Sequence, residues 1–251
     1  MRVYFFPQKT IRLMAVLGVT MLFVAGFVYC SYGKLLLATK VEEPIYQGNT
    51  GQKVVALAFN VDWGEEYLPD ILKILAAEKA KASFFVTGKW ANKHPELLKD
   101  IHEKGHCIGN HGYRHAHPNN LSAEGIAKEI TGAEEIIARV TGEKPTLFAP
   151  PFGEFNSVVQ RVVCEHGYKL IMWSLDTIDW QRPDPGTIVN RVVPRIHNDA
   201  IILVHPTQPT VEALPQILKE LKKEGYRFVT VAEIIQGPPD QDQDKKQQEQ
   251  R

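Results

Sequence analysis

The chain has 251 residues, and its 29 basic residues balance 29 acidic ones. That length can bury a substantial core. With zero formal charge nothing points to the basic face that a nucleic-acid-binding surface needs, and three cysteines, Cys30, Cys107 and Cys164, are too few for a disulfide scaffold.

The first element in chain order is apolar. Leu13 to Tyr32 carries no charge over twenty residues, enough for a helix to cross a bilayer. Arg2, Lys9 and Arg12 precede it, which predicts residues 1–12 on the cytoplasmic side and the remainder outside. A cleavable signal peptide is the rival. Its apolar core is usually shorter, and no small-x-small site follows at once. The expected organisation is one transmembrane signal anchor over 13–32, a linker over 33–52, a globular domain over 53–236 and a tail over 237–251. The tail combines Pro-Pro, several glutamines and alternating charge without apolar periodicity, so disorder is expected there.

Within the domain, short β-branched or aromatic runs alternate with amphipathic patterns. The runs predict strands over Val54–Val61, Ala82–Thr87, His106–Asn110, Thr146–Ala149, Leu170–Leu175, Ile201–His205 and Arg227–Val231. Leu68, Ile71, Leu72 and Leu75 repeat at helical spacing, as do Val211, Leu214, Ile217, Leu218 and Leu221. Gly105, Gly142, Gly167 and Gly225 fall where helices should end. Strands alternating with helices imply a parallel sheet, either open and doubly wound or closed as a barrel. A nucleotide-binding sheet usually carries a glycine-rich loop after its first strand. Here that loop reads Asn60-Val61-Asp62-Trp63-Gly64-Glu65, without a phosphate cradle. A (β/α) barrel therefore leads, with its chemistry at the C-terminal strand ends.

The unusual polar clusters fall at those ends. The third strand runs into Asn110-His111-Gly112-Tyr113-Arg114-His115. Two histidines four residues apart point the same way on one turn of helix or a tight helical loop. They would form half of a divalent-metal site, which one carboxylate could complete. The other ends carry Asn60 and Asp62, Pro150-Pro151-Phe152-Gly153, Asp176 to Trp180, and His205-Pro206.

The ordered set Phe59–Gly64, His111-x3-His115, Pro150–Gly153, Asp179-Trp180 and Leu203-x-His205 resembles the NodB-homology polysaccharide deacetylases, carbohydrate esterase family 4. The resemblance covers Val54 to Ile235. The Phe-Asn-Val-Asp-Trp-Gly variant beside an N-terminal apolar segment is similar to the sporulation-associated PdaB-like branch. The resemblance implies an α/β fold, a deformed (β/α)7 barrel preceded by one transmembrane helix. It implies removal of N-acetyl groups from a peptidoglycan-like amino-sugar polymer by a divalent metal, zinc first, with cobalt, nickel or manganese also suited. In such a site His111, His115 and Asp62 hold the metal. Asp62 is ligand or base, His205 protonates the departing amine, and Asp179 orients His205. Trp180, Leu203, Phe152 and Pro151 surround the acetyl group. The expected partners are the glycan and, through the N-terminal helix, the membrane. No nucleic acid is expected, and oligomeric state is not legible.

Two departures from the family pattern matter. Asn60 stands where the family has its aspartate base, and a carboxamide accepts no proton at neutral pH. Ala149 stands where the family has the arginine that holds that base. The losses are mutually consistent, because an arginine kept without its carboxylate is an unpaired buried cation. If the first strand persists, Asn60 and Asp62 share one face. These departures favour an alternative reading: a catalytically impaired glycan-binding or structural member of the fold. A hydrolase of small amides is a third reading, disfavoured by the anchor. Among the other histidines, His94, His102, His166 and His197 read as surface residues, His117 as solvated and His106 as structural. Cys107 reads as core, and a Cys107–Cys164 bridge is less expected than two separate thiols.

Overall fold

A computed structural model describes residues 7–8, 17–26 and 42–237. Residues 17–26 are helical. The rest of the predicted anchor and nearly all of the predicted tail lie outside the described residues. No helix among the described residues is long and apolar enough to cross a membrane.

The domain is a curled, all-parallel sheet with helices outside. β1 (Val54–Val61) is buried along its whole length, as a near-continuous apolar run in a parallel sheet should be. β2 (Ser83–Val86), β3 (Cys107–Asn110), β4 (Leu147–Phe148) and β5 (Lys169–Leu170) follow it on one side. β7 (Ala200–Val204) and then β6 (Leu175–Asp176) lie on the other, and β8 (Arg227–Val229) pairs with the start of β1. The sequence predicts one strand over Leu170–Leu175. The structure breaks it into β5 and β6, because Ile45 takes the pairing positions at the break: its N–H donates to Leu170 O and its carbonyl accepts from Met172 N–H. The barrel is therefore open between β5 and β6, a half-barrel stitched by the segment before β1. Thr50 and Gly51 likewise bond the Asp199 carboxylate. Part of the predicted linker, from Ile45 to Gly51, thus belongs to the domain.

The alternation along β1 sorts two cores. Val55, Leu57, Phe59 and Val61 face the helices. Val54, Ala56 and Ala58 face the interior, with Phe85, Ala149 and Ile201. Asn60 continues the interior series. The outer layer includes α1 (Leu68–Ala77), α2 (Gly88–Lys93), α3 (Pro95–Glu103), α4 (Ala123–Thr141), α5 (Ser157–Glu165), α6 (Pro185–Val192), α7 (Gln208–Lys223) and the short α8 (Val231–Ile234). The four predicted end glycines have φ between 74° and 89°, the left-handed geometry that stops a helix. Cys107 and Cys164 are half-buried and not bridged.

Register brings the strand ends level. Val61 pairs Val86, Val86 pairs Asn110, and Asn110 pairs Phe148, while Phe59 pairs Val204. The next residue of each strand therefore emerges at one rim: Asp62, Thr87, His111, Ala149 and His205. The backbone N–H groups of Thr87, His111 and Ala149 bond back to the carbonyls of Val61, Val86 and Asn110 respectively. One staircase of hydrogen bonds fixes the floor of the site.

Candidate active site

A cavity of about 450 Å³ opens at this rim, lined by Asn60, Trp63, His111, His115, Phe152, Trp180, Leu203 and His205 among others. The predicted histidines converge. The rings of His111 and His115 lie 4.9 Å apart at 62°.

They do not do so on a helix. Residues 111–117 form a loop in which Gly112 has φ +76° and His115 has φ +56°. Helical geometry would need both negative. The turn starts at Asn110, whose Oδ1 accepts from Gly112 N–H. His111 is 1% exposed, and its Nδ1–H donates to Ala149 O at 2.7 Å. That bond fixes the tautomer and leaves Nε2 with a free lone pair. Burial, then the neighbouring His115, push the His111 pKa down to about 3. Burial also lowers His115, against the upward pull of the Asp62 carboxylate. Both rings are thus neutral donors at ordinary pH, which suits a divalent cation.

The third predicted ligand does not join them here. Among the described residues no group of three or more histidine, cysteine or carboxylate side chains is gathered as a metal site. β1 ends at Val61, and the Oδ1 of Asp62, the next residue, accepts from Thr87 Oγ1 at 2.8 Å. Asp62 is absent from the cavity lining. Two imidazoles fit the cation, and the Asp62 carboxylate, held by Thr87, lies close enough to act on the charge of His115.

Across the cavity, His205 is held by Asp179. Its Nδ1 lies 2.8 Å from Asp179 Oδ1, while its backbone N–H and the Thr210 hydroxyl both donate to Oδ2. Asp179 is fully buried and lines no part of the cavity, so it works through His205. With Nδ1 engaged, Nε2 is the ring nitrogen left for the cavity. Trp63 stacks on the His205 ring, 6.2 Å centroid to centroid and 6° from parallel. The turn that carries Trp63 passes very close to the β7 loop. A Cβ on Gly64 would lie 2.2 Å from Pro206 O, so only glycine fits there.

Phe152, Leu203 and Trp180 line the cavity as predicted, but Pro151 does not. It is buried in the short turn Pro151–Gly153, where its fixed φ shapes the loop. Phe152 is half exposed and adopts φ +59°. Its ring meets His115 edge-on at 4.5 Å and stacks on His117 at 3.8 Å. His117 also pairs with Glu154, so it is a member of the rim rather than merely solvated. Asp176 caps its own loop by accepting from Ile178 N–H and also lines the cavity. His94 packs on Trp90 and bonds Glu65, and His106 is buried.

Asn60 is 7% exposed, and among the described residues its Oδ1 finds no hydrogen-bond partner. Ala149 is buried in the interior core and contributes to the site only its carbonyl. The cavity wall at the end of β1 thus holds a carboxamide with an unused acceptor.

Residues 47–171 match the family model described as "Polysaccharide deacetylase". The chain is 42% identical over 193 residues to the uncharacterised protein YlxY of Bacillus subtilis; the match covers 77% of this chain and 60% of that protein's length. It is 37% identical to a peptidoglycan-N-acetylglucosamine deacetylase of Bacillus cereus, covering 73% of this chain and 89% of the relative. Among solved structures, the fold is similar to a family 4 pseudoenzyme, BA3943 from Bacillus anthracis, with a TM-score of 0.74 and 39% identity over 76% of this chain and 68% of that one. A mutant of that protein described as having restored enzymatic activity has a TM-score of 0.75 and 38% identity, over 76% of this chain and 71% of the mutant.

Proposed function

Since the chain belongs to the polysaccharide deacetylase family, whose members include hydrolases of carbon–nitrogen bonds, we propose that it is a peptidoglycan-directed N-deacetylase whose turnover is slow. The observation that carries this reading is the pairing of neutral His111 and His115 opposite an Asp179-held His205 across one cavity. His111 and His115, joined by Asp62, are the residues that would hold a divalent cation, zinc by preference. Such a cation, when bound, supplies Lewis acidity toward the amide carbonyl and toward water. His205 gives a proton through Nε2 to the departing nitrogen, without which an amine leaves poorly. Asp179 keeps that ring in one tautomer and one orientation. Leu203, Trp180 and Phe152 surround the acetyl methyl and exclude bulk water. Asn60 cannot take the proton of the attacking water, so that proton passes to solvent and the step is slow for want of a base at this position. The uncharged Leu13–Tyr32 segment supports anchoring with the domain on the outer face of the membrane, where cell-wall glycan lies. A role in sporulation or wall modification follows the same family likeness.

The test is acetate release from N-acetylated peptidoglycan fragments by the purified chain with zinc. Slow release by wild type that His205→Ala abolishes is expected; equal release by the two removes His205 as the acid. Asp62→Ala should lower bound zinc, and equal stoichiometric zinc in both proteins removes Asp62 as a ligand. A second reading, a glycan-binding member without turnover, is favoured by Asn60 and Ala149. It predicts retained glycan binding with no acetate from any wall polymer.

A further inference from the structure

The loop that carries the two histidines is held from below by a single carboxylate that no motif contains. Glu129 lies on α4 among Ile126, Ile130, Ala133 and Ile137, all buried on the same face. It is itself 6% exposed. A carboxylate in the apolar stripe of an amphipathic helix is costly unless its oxygens are satisfied. Here they are, and by one loop only. Oε2 accepts from Tyr113 N–H at 2.9 Å and Arg114 N–H at 2.7 Å, and Oε1 accepts from Arg114 Nε–H at 2.8 Å. The loop's carbonyls are met from the opposite side. Gly88 N–H and Lys89 N–H, in the first turn of α2, donate to Gly112 O and Tyr113 O. The Tyr113 ring fills the gap between the two helices, where a Cβ on Gly88 would lie 2.4 Å from it.

We propose that Glu129 is a positioning residue whose buried carboxylate holds residues 112–115 in the left-handed turn that brings His115 onto His111. Two successive N–H groups turned toward one anion are a backbone geometry that an isolated loop does not keep. His115 at φ +56° is strained for a side chain with a Cβ. Something must over-determine it, and the two N–H bonds at the preceding residues do so. The consequence for cation affinity rests on the proposed function; the consequence for loop geometry does not.

The experiment compares the full chain with Glu129→Ala, Glu129→Gln and Arg114→Ala. It reads zinc affinity by competition with a chromogenic chelator, hydrogen exchange at the Tyr113 and Arg114 amides, and the thermal midpoint. Glu129→Ala should weaken zinc about 10- to 100-fold, the range for residues that orient metal ligands, and speed exchange at both amides. Glu129→Gln keeps one carbonyl oxygen for the two N–H groups and loses the Arg114 side chain, so its zinc loss should be about 3- to 10-fold, smaller than that of the alanine variant. Arg114, two-thirds exposed, should matter little: Arg114→Ala should leave zinc affinity within about threefold. Should Glu129→Ala fail to fold, the glutamine variant carries the test. Wild-type zinc affinity and wild-type amide exchange in a folded Glu129 variant would overturn the proposal. A wild type that takes up no zinc sinks the cation reading instead. The exchange rates then decide the clamp, faster in the variants if it stands and unchanged if it falls.

Discussion

Two histidines at the mouth of the barrel are anchored through the same ring nitrogen to different partners. His111 Nδ1–H donates a hydrogen bond to a neutral backbone carbonyl, Ala149 O, while His205 Nδ1 bonds a buried carboxylate, Asp179. The first arrangement fixes a neutral ring with a free lone pair, the form that binds a cation. The second fixes a ring beside a negative charge, the form that can carry a proton to a leaving group. One residue type takes two roles because the strand ends offer it two different acceptors. β1 departs from this order. The same rim holds Asn60 with an idle oxygen and Asp62 turned to Thr87.

The largest expected effect removes the charge from the His205 side. Asp179→Asn leaves one oxygen to serve three donors and sets an amide group against one of them. Acetate release should fall about 10²- to 10⁴-fold, the usual worth of positioned acid–base catalysis, with zinc content unchanged. A matching loss of zinc would show that the two histidine roles are not separable.

A third histidine sharpens the comparison by lacking a site role. His106 is buried next to Phe84, and its Nδ1 accepts from Ala82 N–H. Burial first, then Lys81 and Lys104, push its pKa down from 6.5 to about 4. A histidine pKa depressed in the fold gives stability that is full above 6.5 and lost as the pH falls toward 4. The loss should approach roughly 3 kcal/mol near pH 4, from about 1.36 kcal/mol per pKa unit. Urea midpoints from pH 7.5 to 4 check this, and His106→Gln, which keeps an acceptor for Ala82, should flatten the dependence.

The smallest expected effect is at Phe152. Phe152→Gly relieves a left-handed backbone worth about 1–2 kcal/mol and forfeits ring contacts worth about 0.5–1.5 kcal/mol. The two should nearly cancel in a thermal melt, while KM for glycan fragments rises severalfold. A large drop in midpoint would mean that the rim is structural rather than a contact for sugar.

Much of the fold was legible because β1 through β4 and β7 are apolar runs bounded by turn residues, and the period alone places them. The break between β5 and β6 was not, because Ile45 intrudes from a segment that reads as linker. His111, His115, His205 and Leu203 were readable as residues placed just after or at strand ends. Asp62 was readable as the carboxylate at the end of β1, but its bond to Thr87 was not, because that partner comes from the neighbouring strand end. Pro151 was assigned to the cavity from its motif, yet a proline in a turn packs where its ring is directed. Glu129 left one clue, a carboxylate at a buried helical position, and needed the loop above it to have meaning.

The central claim is that the amide at position 60 limits a site otherwise arranged for amide hydrolysis. The most direct measurement is the rate of acetate release by Asn60→Asp relative to wild type at saturating zinc. A carboxylate there restores a proton acceptor, and the rate should rise about 10- to 100-fold, short of full recovery because Ala149 cannot hold it in place. A folded, zinc-loaded Asn60→Asp protein that releases acetate no faster than wild type would contradict the account.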